Sequence, residues 1–253
     1  MKQIPNIITL LNLFCGCIAI VYLLQNGIVV SENGDGQFLM LPPQIWLASL
    51  FIGIAAVVDF FDGFVARLFG ASSEMGKQLD SLADVVSFGV APGMILYQFL
   101  RLAVAKTDAG LDASVLWLMP AFILPCAAAY RLARFNIDIS TPSTHFRGVP
   151  VPAVGLTVAS FPMIYWHASQ PWALDLLTNK WFNYGVVAIL SWLMVSSFPI
   201  ISNKLKNKTV AGNLHIIILA LVAIVGGILL GWMAVPLTFA AFVALSFIFQ
   251  KNI

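Results

Sequence analysis

The chain has 253 residues, 60% of them hydrophobic and only 9% charged, with a formal net charge of +2. An ordinary soluble domain is about 25% charged, and a soluble fold of this length could not hide so much apolar surface. That excludes a soluble globular protein, and nothing in the charge calls for a nucleic-acid partner.

Apolar runs near the ~20 residues needed to cross a bilayer recur along the whole sequence. They predict an all-α, polytopic transmembrane helix bundle that forms one integral membrane domain over residues 1–253. The first run, from about Ile7 to Leu24, is long and lacks a small-residue cleavage site. More spans follow it, so it reads as a retained first helix rather than a signal peptide. Eight helices are expected in all, roughly 7–25, 44–69, 77–101, 115–135, 150–168, 183–202, 212–230 and 234–250. Segment 25–43 carries Asn33, Gly34, Asp35, Gly36, Pro42 and Pro43 and has no helical periodicity, so it reads as the longest early loop. The last two helices are separated by a tight turn near Gly231 and should form a hairpin. Cys15, Cys17 and Cys126 all fall in apolar spans. Cys15 and Cys17 are two apart on a helix and face different ways, so the cysteines read as packing residues.

Basic residues set the orientation. With eight crossings, ten of the thirteen lie on one side: Lys2, Arg67, Lys77, Arg131, Arg134, Arg147, Lys204, Lys206, Lys208 and Lys251. Only Arg101, Lys106 and Lys180 lie on the other. This asymmetry places both termini in the cytoplasm of a multi-pass cell-membrane protein and supports an even number of crossings.

An ionisable side chain within a span is costly and marks function. Four aspartates sit near the cytoplasmic ends of the second and third helices: Asp59, Asp62, Asp80 and Asp84. Asp59 and Asp62 are three apart and Asp80 and Asp84 four apart, so each pair shares a helix face. The short connection makes these helices antiparallel neighbours, a catalytic pair over residues 44–101 whose acids can converge. Four uncompensated carboxylates would repel one another strongly. Arg67 and Lys77 are too few to balance them, and divalent cations with a taste for hard oxygen, Mg²⁺ or Mn²⁺, are the natural remedy. Gly63 and Ala66 follow Asp59 on the same face. A glycine inside a helix costs ~1 kcal/mol relative to alanine, so this bare surface suggests close approach by a ligand or by another helix.

These positions resemble the CDP-alcohol phosphotransferase family. The sequence reads Asp59, Asp62, Gly63, Ala66, Arg67, eight residues, Gly76, Asp80 and Asp84, with no departure from the family's motif. The resemblance implies that Asp59, Asp62, Asp80 and Asp84 bind metal, as a pair of ions. It implies that Asp84 is also the general base for an acceptor hydroxyl. Gly63, Ala66, Arg67 and Gly76, with Asn6 and Thr9 from the first helix, would hold the nucleotide, and the protein would be a homodimer.

Further segments are similar to bacterial and archaeal phosphatidylserine synthases: Ile4 to Thr9 with Asn12, Asp80 to Asp84 with Ser87, Phe88, Gly89, Ala91, Pro92 and Gly93, then Arg131 to Asn136 and Phe146 to Pro152. Together the resemblance covers residues 4–153. It implies transfer of the phosphatidyl group from CDP-diacylglycerol to L-serine, with CMP as the other product. A serine carboxylate suits guanidinium groups, which makes Arg131, Arg134 and Arg147, with Asn136, the candidate acceptor residues. Glycerol 3-phosphate and inositol phosphate would also want arginines, so basicity leaves the acceptor open. A divalent-cation transporter would need acids near the bilayer midplane with access from both sides, whereas these cluster toward one face. With no soluble domain to extract a lipid, a donor embedded among membrane lipids fits better than a soluble CDP-alcohol.

Overall fold

The computed structural model describes residues 4–33, 36–68, 73–107, 110–112, 114–138, 148–168, 170–197 and 214–248. Helix α1 (Ile4–Gln25) leads into a two-stranded antiparallel hairpin, β1 (Val29–Asn33) and β2 (Gly36–Met40), with Val29 opposite Met40 and Ser31 opposite Phe38. Helix α2 (Trp46–Leu68) follows a single 3-10 turn begun by Pro43. Next come α3 (Glu74–Asp84), a π-helical turn (Val85–Val90) and α4 (Ala91–Ala105), one continuous rod. Helices α5 (Ile123–Asp138), α6 (Val151–His167), α7 (Pro171–Leu177), α8 (Lys180–Val195), α9 (Leu214–Leu230) and α10 (Ala234–Ile248) complete the chain.

Among the described residues, four stretches are long and apolar enough to cross a membrane: Pro5–Gln25, Pro43–Val65, Glu74–Ala105 and Ile216–Ile248. The last is broken at Gly231, whose φ of 57° lies in the left-handed region, into the expected α9–α10 hairpin. Helices α5, α6 and α8 have 16, 17 and 16 residues, short of a full crossing by length alone.

Several expectations need correction. Segment 25–43 is not simply a loop: Val29 and Val30 favour extended backbone, and Asn33-Gly34-Asp35-Gly36 has the composition of a hairpin turn. The fourth helix begins eight residues late, because Pro120 and Pro125 leave residues 115–122 in 3-10 turns. Helix α7 was not expected, and α8 starts earlier than predicted, at an Asn179 cap whose Oδ1 accepts from the amides of Trp181 and Phe182. It also ends earlier, at Val195. Cys15 is buried as expected of a packing residue, but Cys17 and Cys126 lie exposed on outer faces, and all three are free thiols.

The π turn has a cause in the sequence. Pro92 has no amide hydrogen and would crowd the carbonyl four residues back, so the α ladder fails there. The amide of Ala91 instead reaches back five residues to the carbonyl of Val86. Small residues let three helices close on this turn. A Cβ on Gly16 of α1 would lie 2.9 Å from Ser87 Cα, and one on Gly89 3.1 Å from Ala128 Cβ of α5. A Cβ on Gly155 of α6 would lie 2.8 Å from Phe88 Cβ. The buried core extends from there through Phe88, Ile95, Leu96 and Phe99.

Candidate active site

Helices α2 and α3 bring their acids together where α1 and α5 also meet the rod. Ser73 starts α3 by accepting the Gly76 amide at 3.0 Å, which sets the phase of Asp80 and Asp84 one and two turns on. One oxygen from each of Asp59, Asp80 and Asp84 lies within 4.8 Å of the others. Asp59 and Asp80 reach hydrogen-bond contact, and Asp62 is near enough for its charge to act on both. Carboxylates so placed repel one another unless a proton or a cation lies between them. Asp62 is 7% exposed and takes a hydrogen bond from Thr9 Oγ1 on its Oδ2, while its Oδ1 is buried without a partner among the described residues. Thr9 Oγ1 is also 3.1 Å from the Pro5 carbonyl, so its one hydrogen has two acceptors in reach. An orphaned buried carboxylate oxygen beside three converging ones is a hard-oxygen donor set, and it fits a divalent cation.

The nucleotide candidates surround this cluster unevenly. Gly63 is exposed, and a Cβ there would meet nothing within 4 Å. No described helix of this chain packs on that bare surface. A Cβ on Gly76 would sit 3.2 Å from Asn6 Oδ1, which joins the start of α1 to the start of α3. Ala66 and Arg67 belong to the last turn of α2, and their side chains lie outside what the structure describes.

The acceptor candidates separate. Arg131 is 8% exposed, close enough to Asp84 for their charges to interact, and its Nε has no hydrogen-bond partner among the described residues. Its guanidinium stands 5.9 Å from the centre of the Phe135 ring. Arg134 donates to the carbonyls of Val195 at 2.8 Å and Ser196 at 3.2 Å, capping the end of α8. Asn136 donates to Ser81 Oγ at 2.9 Å and ties α5 to the acid-bearing helix. Arg147 lies outside the described residues.

Asn12 was quoted in the resemblance without a role. It is fully buried and donates from Nδ2 to Asp84 Oδ1 at 3.2 Å. The available signal was its spacing: Asn12 is three residues after Thr9, on the same face of an apolar helix, where an amide is costly.

A family model for CDP-alcohol phosphatidyltransferase matches residues 2–197. The chain belongs to that family. Among curated proteins it is similar to the CDP-diacylglycerol–serine O-phosphatidyltransferase of Bacillus subtilis, 34% identical over 171 residues, which cover 65% of this chain and 78% of that protein. The protein of the same name from Helicobacter pylori strain J99 is 32% identical over 220 residues, 86% of this chain and 78% of the relative. The one from Saccharomyces cerevisiae is 37% identical over 158 residues, 59% of this chain and 50% of the relative. An enzyme with apolar helices embedded in a membrane follows from this membership and from the long apolar stretches.

Proposed function

We propose that this chain transfers the phosphatidyl group from CDP-diacylglycerol to L-serine, giving phosphatidylserine and CMP. The observation that carries the reading is its similarity, across 86% of its length, to a relative whose name states that acceptor. Asp59, Asp62, Asp80 and Asp84 hold divalent metal, two Mg²⁺ or Mn²⁺ ions. When bound, these ions neutralise the diphosphate and stabilise charge on the departing phosphate oxygen. Asn6, Thr9, Gly63, Ala66, Arg67 and Gly76 accommodate the cytidine nucleotide. Arg131 grips the serine carboxylate, with its unspent Nε–H among the donors, and Arg134, Asn136 and Arg147 are the further acceptor residues of the proposal. Asp84 accepts the proton of the serine hydroxyl as that oxygen attacks the lipid-bearing phosphorus. The new oxygen–phosphorus bond forms as the bond to CMP breaks.

The proposal places the whole chain in one membrane domain with eight crossings, the α2–α3 pair as its catalytic part, and both termini and the site on the cytoplasmic side of the cell membrane. The excess of basic residues on the termini's side supports this orientation. A homodimer is part of the same proposal.

The test follows CMP release by purified protein from CDP-diacylglycerol, with Mn²⁺ or Mg²⁺ and one of four acceptors: L-serine, glycerol 3-phosphate, inositol or inositol phosphate. Metal-dependent release with serine alone is expected. Release with another acceptor, and none with serine, overturns the choice of acceptor and leaves the family chemistry standing.

A further inference from the structure

Asp84 has an aspartate's freedom: its carboxylate turns about the Cβ–Cγ bond in a broad, two-fold well. What stops it turning is on α1. Asn12 Nδ2 holds Asp84 Oδ1 at 3.2 Å, and the backbone carbonyl of Asn12 in turn accepts Ser87 Oγ at 3.0 Å. Asn12 and Ser87 are both 0% exposed, so water competes for neither bond. Ser87 lies three residues after Asp84, inside the π turn that Pro92 imposes, and Gly16 clears the space it needs on α1. The bonds close a ring: Asp84 to the Asn12 side chain, the Asn12 backbone to Ser87, and Ser87 along the rod back to Asp84.

An amide and a hydroxyl facing each other's helices inside a bilayer also act as glue. Glue does not explain the choice of partner. Asn12 spends its one bonded N–H on the acid nearest Arg131, and its Oδ1 is buried with no partner among the described residues. A leucine at position 12 would remove that orphaned oxygen and cost the packing little.

We propose that Asn12 and Ser87 are positioning residues: Asn12 fixes the carboxylate plane of Asp84 against the Asp59–Asp80 pair, and Ser87 fixes the turn of α1 that carries Asn12. The role rests on Asp84 being the base and metal ligand of the proposed reaction. Partners that orient ligating side chains are worth 10–100-fold in activity or metal affinity.

The experiment uses the full chain in lipid nanodiscs, with Asn12→Leu and Ser87→Ala. It measures kcat and KM for L-serine, Mn²⁺ binding without substrates from the electron paramagnetic resonance of the free ion, and the melting temperature. Asn12→Leu is expected to lower kcat about 10- to 100-fold and to weaken Mn²⁺ binding at least about threefold. Its KM for serine and its melting temperature should stay near those of the wild type. Ser87→Ala, which deletes one oxygen, is expected to move kcat and Mn²⁺ affinity the same way by a smaller factor. Wild-type kcat and Mn²⁺ affinity in Asn12→Leu would make the ring mere glue and overturn the proposal. Should that variant not fold, the same result in Ser87→Ala would overturn it. The reading of the reaction fails separately, when the wild type itself releases no CMP with serine.

Discussion

At the scale of single residues, Asp84 and Arg131 are neighbours with opposite charges and different proposed duties, and kinetics can tell them apart. Asp84→Asn keeps the shape and removes the proposed base. It is expected to lower kcat by at least ~10²-fold while leaving CMP binding, measured by calorimetry, largely in place. Near-normal turnover would end the assignment of the base. Arg131→Lys keeps the charge and loses the planar fork that matches a carboxylate. A charge-assisted hydrogen bond is worth about 1.5–3 kcal/mol, so KM for L-serine should rise roughly 10- to 100-fold, with a smaller effect on kcat. An unchanged KM would move the acceptor site to Arg134 or Arg147. The geometry favours Arg131 because Arg134 already gives two N–H groups to the end of α8, whereas Arg131 is buried beside Asp84 with Nε unspent.

At the scale of elements, the rod from Glu74 to Ala105 is where neighbouring helices converge: α6 packs on α4 through Phe161 and Tyr165 against Phe99, and on the π turn at Gly155. A Cβ there would lie 2.9 Å from both the Cα and the carbonyl oxygen of Phe88, backbone atoms with no room to retreat. Gly155→Val is therefore expected to cost about 1–3 kcal/mol, read as a lower melting temperature in detergent, and to reduce activity with it. An unchanged melting temperature would mean that α6 does not press on the π turn. This element also marks what the sequence could disclose. Spacing alone put Asp59 with Asp62 and Asp80 with Asp84 on shared faces, because helical periodicity is local, and three of these acids do converge. The short α2–α3 connection made their meeting legible too. The π turn was foreseeable only as a disturbance: Pro92 inside a predicted helix announces a broken ladder but not which way the rod adapts. The separation of Arg131 from Arg134 was not legible at all. It depends on where the end of α8 arrives, sixty residues on in the chain, and no local pattern carries that.

At the scale of the whole molecule, the site and the last hairpin are nearly independent. The family match ends at residue 197, and α9 and α10 begin at Leu214 and Ala234. Only 6% of the most apolar window in Ile216–Ile248 is buried, and the main buried cluster ends at Met194, although Ala234, Leu245 and Ser246 of the hairpin are buried too. Met233, Phe239, Phe242 and Val243 merely lean on that core from outside. In a bilayer, such a surface loses little when its neighbour leaves, because acyl chains are as apolar as the side chains they replace. All four aspartates, Asn12, Ser87 and Arg131 lie on α1, α2, the rod and α5, none of which the hairpin's own sequence builds. A chain truncated before Leu214 is therefore expected to insert into membranes and to keep metal-dependent, serine-dependent CMP release within roughly tenfold of the full chain, since a site held on rigid elements keeps its geometry. The assay would use nanodiscs, with protein amount normalised by quantitative blotting. Folded, truncated protein with no release would show that the hairpin contributes to the reaction through α6, which lies between it and the rod.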